Sequence, residues 1–351
     1  MVRASDIVKR KNETTPSKTD SSSDLLRLSN FVKLGSQEDG TSSLADRDTP
    51  MPDIEVHNVD DIYLTARTYM ESVRNSVKNH TLIELDPAIS LINKIANSTE
   101  LLFSVHPLTL KFGSEKDYDI FQPVHTMIYA LKMGLRLNYP RPKLIELGLA
   151  TLLQNIGMFL VPDSIVNKTG NLTDSEIGVI KKHPEMGRDI LLPYQKDYPW
   201  LLETVYEHHE REDGQGYPRG LKGDEIVEYA KVIGICDSYE AMTHNRPHKK
   251  ALMQFVSVRQ LIESKDRLFA PQILKVFLEE MSLYPIGSYV KLNNGAIGRV
   301  IHTNRSLPLK PLIKLLFDGR GKKTVADEFI DMATNSVLNV VDVVAEEDLP
   351  Q

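Results

Sequence analysis

His208 and His209 stand side by side at the end of an apolar-periodic run, 200–207, and a glycine-punctuated turn ending in Tyr217-Pro218 follows at once. Adjacent helical side chains point roughly 100° apart, so the two imidazoles cannot share one outward face, yet they can enter one polar pocket from two directions. Gly214 and Gly216 let backbone approach a ligand closely, and Pro218 fixes the chain as it leaves. Three further residues carry related chemistry. His125 follows Pro123 and is expected to open a helix, while His183 precedes Pro184 in KKHPEMG. Asp237 interrupts an apolar helical run, VIGICDSYEAM. A carboxylate placed there is costly to bury unless a cation, a metal or a hydrogen-bond donor meets it. Taken singly, each histidine reads more simply as a satisfied core or surface residue than as a metal ligand.

These residues need elements to hold them. Apolar spacing predicts amphipathic helices over 59–78, 86–105, 124–138, 142–160, 173–191, 200–209, 224–243, 254–263 and 271–282. Ile145, Leu149, Leu152, Leu153 and Ile156 recur at three- and four-residue steps and form a core-facing stripe. After Tyr284-Pro285 the period shortens. Short β-branched or alternating runs, 288–291, 298–302 and 312–317, are separated by Asn293-Asn294-Gly295 and Asp318-Gly319 as turns. The chain therefore reads as mainly α, with a helical domain over 53–283 and a small β-rich extension over 284–351. Residues 1–52 are rich in Ser, Thr and Asp and bury too little apolar surface to offset their ordering entropy, so a disordered arm is expected. Within it, 24–34 has near-helical apolar spacing and is either a short docking helix or a frayed stub.

Composition narrows the function classes. A net charge of −6 without a block of five like charges gives no footprint for nucleic acid, and an anionic ligand would need a local basic pocket. Cys236 is the single cysteine, which excludes an intramolecular disulfide and fits a reducing compartment. The apolar stretch 147–162 carries Gln154 and Asn155 and is too short to span a bilayer, and residues 1–12 lack the apolar core of a signal peptide. A cytoplasmic protein with no membrane span is the expectation.

From the helical lead-in before His125 to Gly298, the segments VPDSIVNKTGNLTDSE, KKHPEMGRDIL, HHE…GYP, RGLKGDEI, ICDSYEAM with RP, and YPIGSYVKLNNGAIG follow one another. In that order they resemble the HD-GYP family, bacterial metal-dependent phosphodiesterases of cyclic di-GMP signalling. The resemblance implies a helical HD-superfamily domain and a pair of metals. In the family, the HD motif is a His-Asp pair inside leucine-leucine-His-Asp-Ile-Gly-Lys. Here the segment reads Leu152-Leu153-Gln154-Asn155-Ile156-Gly157-Met158. The resemblance places one metal on His125, Gln154, Asn155 and Asp237. It places the second on His183, His208 and His209, with the Asn155 position bridging both. A third ion in some members uses a glutamate where Phe121 stands.

Two divalent ions bring four positive charges into a small space, and bridging anions must hold them together. Asp237 alone remains anionic, an Asn amide cannot bridge two cations, and Gln is a poor substitute for imidazole. No catalytic set is intact at Gln154, Asn155 and Met158. The expectation is at most one divalent transition metal (Fe, Mn or Zn), held by the three histidines, or none. Recognition can outlast catalysis. Arg246 and Lys249 match the family's phosphate-contacting Arg and Lys, with His248 where an aromatic Tyr is usual; solvated surface cations are the alternative. Gly216 and Tyr217 shape the loop beside the site, and Lys168, Arg219 and Lys222 are expected to be surface cations. The leading reading is a catalytically impaired cyclic di-GMP sensor or an interaction module for signalling proteins. Its rivals are a residual metal-dependent phosphodiesterase and a scaffold without a nucleotide.

Overall fold

A computed structural model describes residues 56–98, 102, 117–246, 250–264, 267–281, 284, 286–304, 307, 309–325, 327–344 and 346–350. The expected disordered arm, with its 24–34 segment, and Lys249 lie outside them. The described residues fall into two units. One takes in residues up to Leu252 together with Ser264–Ile273; the other takes in Met253–Glu263 and the residues from Leu274 on.

In the first unit, α1 (Val56–Lys78) buries Ile62, Tyr63, Ala66, Tyr69, Met70, Val73 and Val77, a stripe at three- and four-residue steps. Asp86-Pro87 starts α2 (Asp86–Ala96), which buries Ala88, Leu91, Ile92 and Ile95. The long α3 (Tyr118–Arg136) is buried from Ile120 through Gly134, as the central helix of a bundle must be. It lies close against α4 (Arg141–Leu153): a Cβ on Gly134 would stand 2.7 Å from a Leu144 methyl carbon. Pro123 lies inside α3 rather than ahead of it, so His125 sits in the helix and does not open it.

The predicted helix over 142–160 is broken at the most informative place. α4 stops at Leu153, and a 3-10 turn resumes at Ile156–Leu160, leaving Gln154 and Asn155 at the joint. Ile156, Gly157 and Phe159 are buried within the turn, so the apolar spacing runs across the break and conceals it in the sequence. The stretch Arg141–Leu160 is long and apolar enough to cross a membrane by length and composition; 67% of its most apolar window is buried inside the protein.

After the short α5 (Asp163–Val166), the predicted helix over 173–191 is two helices. Thr173 and Glu176 form a capping box on α6 (Asp174–Ile180), and α7 (His183–Leu191) starts afresh with Pro184 in its first turn, where the missing N–H costs nothing. α8 (Pro199–Glu207) ends just before the histidine pair. A 3-10 turn, Gly223–Glu225, precedes α9 (Glu228–Thr243), which therefore begins four residues later than its apolar spacing suggests.

The second unit holds α10 (Gln254–Glu263), and α11 (Pro271–Glu280) continues into it. It also holds an antiparallel sheet of β1 (Tyr289–Leu292), β2 (Ile297–His302), β3 (Leu312–Phe317), β4 (Phe329–Asp331) and β5 (Val340–Val344), ordered β4-β3-β2-β1-β5. Val290 and Leu292, then Ile313, Leu315 and Phe317, alternate onto its buried face. Gly295, at φ +85°, makes the β1–β2 turn, where only glycine adopts that angle freely. The fold is mainly α with a small β-rich C-terminal part, as the sequence pattern implies.

Candidate metal and ligand site

His183 is the first residue of α7, while His208 caps α8 and His209 follows it. The structure brings the three together. His183 Nδ1 donates to the Ile180 carbonyl and His208 Nδ1 to the Val205 carbonyl, each at 2.7 Å. Those bonds fix the protons on Nδ1 and leave two Nε2 lone pairs facing each other at 3.2 Å. The His209 ring lies 4.1 Å from that of His208 and 5.0 Å from that of His183. Burial presses His183 down to about 4, and burial with the neighbouring imidazoles holds His208 and His209 well below the usual histidine value. All three are neutral at pH 7, the form that binds metal. Two nitrogens on one tetrahedral ion at about 2.0–2.1 Å stand roughly 3.3 Å apart. The observed spacing and tautomers fit a divalent transition ion, which would neutralise the lone-pair repulsion.

The segment after the pair is built to keep it there. Tyr217 stacks on His209 at 4.7 Å, donates its backbone N–H to the His209 carbonyl (3.2 Å) and has the Lys181 ammonium 5.2 Å from its ring centroid. Gly216 permits this, since a Cβ would collide with the backbone of Glu210 and Arg211. The buried Glu210 carboxylate accepts N–H groups from Arg219 (2.7 Å), Gly220 (3.1 Å) and Leu221 (3.0 Å), so the loop returns to the histidines. Arg211 donates to the His208 carbonyl at 3.1 Å and ties the turn to α9 through Ser238. Arg219 pairs with Glu207 and Glu203, and Lys168 with Glu176 at 2.7 Å, which accounts for these cations without a ligand.

The four positions of the other metal are arranged differently. Asp237 accepts a hydrogen bond from Gln122 Nε2, and Asn155 Nδ2 donates to Gln122 Oε1 at 2.8 Å. A neutral amide chain thus links Asn155 to Asp237. Burial pushes Asp237 up to about 6, with Glu240 adding to the rise and Arg246 opposing it. His125 meets the Tyr63 hydroxyl through Nε2 and Glu240 through Nδ1 (3.2 Å), and its ring lies 4.6 Å from that of His244. Burial would raise Glu240, but its bond with His125 and the charges of His244 and Arg246 bring it below the usual range. Phe121 carries Arg67 over its ring at 5.4 Å. Gln154 is 0% exposed, and neither atom of its amide has a hydrogen-bond partner among the described residues.

Sequence reasoning missed Gln122, Tyr63, Glu240 and His244. The spacing of Glu240 and His244, four apart on α9, was the signal available for two of them. Arg246 is largely buried rather than solvated: its guanidinium lies 4.6 Å over Tyr118 and 3.8 Å from Glu240, and its Nε has no partner among the described residues.

The orphaned amide yields a prediction. Gln154→Leu removes two buried unpaired polar atoms at nearly constant volume and should stabilise the protein by about 1–3 kcal/mol. A urea midpoint that falls instead would show that Gln154 has a partner.

Residues 94–273 match the HD domain family, and residues 289–351 match a KOW domain associated with HD domain. A cyclic di-GMP phosphodiesterase of Pseudomonas aeruginosa is 33% identical over 76% of this chain, which covers 64% of that protein. A cyclic di-GMP phosphodiesterase of Borreliella burgdorferi is 30% identical over 57% of this chain, covering 52% of its length. The chain thus spans less than two thirds of these relatives. An HDG"Y"P protein from Bdellovibrio bacteriovorus has a similar fold, with a TM-score of 0.52 at 16% identity over 72% of this chain and 77% of that one.

Proposed function

Because the chain belongs to the HD domain family, in its HD-GYP branch, we propose that it is a cyclic di-GMP sensor or interaction module in which hydrolysis is lost or very weak. The amide chain Asn155–Gln122–Asp237 carries this reading. It joins two of the positions that the resemblance assigns to the first metal through amide hydrogen bonds, with Asp237 as the one carboxylate and a neutral amide, unable to bridge two ions, at position 155. The residues there do not fit that metal. The three-histidine group does fit one, and an ion held by His183, His208 and His209 would supply Lewis-acid polarisation of a phosphate oxygen.

Recognition is supported by Arg246. Its side chain keeps 24% of its surface exposed, and a guanidinium fork can pair with phosphate oxygens. Lys249 is proposed as its companion, and Gly216 and Tyr217 as one wall of the pocket. The test is titration with cyclic di-GMP beside a hydrolysis assay with added manganese or iron. Binding without turnover is expected, and Arg246→Ala should weaken binding about ten- to a hundredfold. Turnover at a rate typical of an enzyme would replace the sensor with a phosphodiesterase. No binding at millimolar ligand would leave a scaffold.

A further inference from the structure

The second cluster of ligating side chains in the helical unit is not the position of the lost His-Asp pair. Its members are His125 on α3 with Glu240 and His244 from α9 and its end. His125 Nδ1 lies 3.2 Å from Glu240 Oε1, and His244 Nδ1 lies 3.3 Å from the same oxygen, 3.1 Å from the Glu240 backbone carbonyl and 3.2 Å from the Thr243 hydroxyl. All three ligand atoms fall within 4.8 Å of one another. Atoms bound to one first-row ion at about 2.0–2.2 Å stand roughly 2.9–3.5 Å apart, so the His125–Glu240 spacing is that of neighbouring ligands, while His244, whose Nδ1 donates to the Glu240 carbonyl, would bind through Nε2.

The surroundings support the same assignment. Glu240 divides its carboxylate: Oε1 faces the imidazoles, while Oε2 accepts from the Tyr118 hydroxyl and lies 3.8 Å from Arg246. Outer contacts of this kind orient a ligating carboxylate. On His125, the far nitrogen Nε2 meets the Tyr63 hydroxyl. An ion would displace the proton that Nδ1 shares with Glu240, and the Tyr63 oxygen can then accept an Nε2–H, the tautomer that presents the Nδ1 lone pair to the ion. The His125 and Glu240 side chains are 1% and 0% exposed, and that of His244, at 13%, gives the cluster its open side.

We propose that His125, Glu240 and His244 form a metal centre for a divalent first-row transition ion, displaced from the position that Gln154 and Asn155 no longer support. Two imidazoles and one carboxylate are a known ligand set for zinc-like ions and leave coordination positions for water or a phosphate oxygen. The site raises the expected metal count from one to two, because Glu240 and His244 replace the two missing ligands. It does not depend on which nucleotide the domain takes.

Cobalt(II) added to the metal-free full chain tests it, with absorption spectra reporting geometry and elemental analysis the count. The unmodified chain should take up two equivalents. His244→Asn, a change at a part-exposed position, should keep one, with affinity for the second lowered more than about a hundredfold. His183→Asn should lose the other. His244→Asp, which restores a ligating oxygen, should recover much of the second equivalent. Two equivalents in His244→Asn, or one equivalent in the unmodified chain that His244→Asn leaves unchanged, would overturn the proposal. Anomalous scattering of the unmodified protein gives an answer without any variant: an ion between Asn155 and Asp237 would overturn it equally.

Discussion

Gly157→Ala should destabilise the helical unit by about 3 kcal/mol and abolish metal binding at the three-histidine group. Gly157 lies in the 3-10 turn after the Gln154-Asn155 joint, and a Cβ there would run into the His183 carbonyl and stand 2.7 Å from the Gly187 nitrogen. Both obstacles are backbone, so no side-chain rotation relieves them. Overpacking of a buried site costs roughly 1–3 kcal/mol, and the upper end applies when a helix itself must move. The helix that moves is α7, which carries His183. Its Nε2 would leave the 3.2 Å spacing from His208 that suits an ion. Gly178→Ala on α6 is the control, since nothing lies within 4 Å of a Cβ there. It should hold or slightly raise stability through helix propensity. Urea midpoints and zinc content of both variants decide the matter. A Gly157→Ala protein with unchanged midpoint and metal would show that the turn and α7 are not locked together.

The sequence carried the helices and the histidine triad more fully than the region around His125. His183, His208 and His209 sit at helix ends marked by Pro184 and by the glycine-rich turn, and such punctuation is local and therefore readable. Their convergence needed the resemblance, because nothing local joins residues 183 and 208. The joint at Gln154-Asn155 stayed hidden because Ile156 and Phe159 continue the apolar spacing of α4 through the 3-10 turn. Pro123 suggested a helix start, yet α3 begins at Tyr118, and in an element buried on almost every side packing outweighs the cost of one missing backbone N–H. Around His125, the decisive partners come from α1 and α9, and pairing across elements is not encoded in spacing. Asp237 left three alternatives open, cation, metal or hydrogen-bond donor, and the donor is Gln122, one turn before Thr126 on another helix.

Gln154→His with Asn155→Asp and Met158→Lys should convert the chain into a measurable cyclic di-GMP hydrolase. Asn155→Asp has the largest leverage. Asn155 Nδ2 now donates to Gln122 Oε1, whose own amide donates to Asp237. A carboxylate at that position would face the Gln122 oxygen without a proton between them, with Asp237 close behind. The metal-free variant should therefore be less stable than the unmodified chain, and a divalent ion should restore it, a linkage of roughly 3–4 kcal/mol at a thousandfold excess over Kd. Gln154→His places a ligating ring where an unpaired amide is already buried. Met158→Lys returns the family's cation. None of the changes should suffice alone, since bridged ions assemble as a unit. One obstacle lies outside the motif: the Tyr63 hydroxyl holds His125 Nε2. Adding Tyr63→Phe should raise the turnover of the triple variant further by freeing that nitrogen. The measurements are hydrolysis, metal-dependent melting and the ion's position by anomalous scattering. A folded variant with no ion between residues 154, 155 and Asp237, and no turnover, would show that the pocket departed from catalysis well beyond the three altered positions.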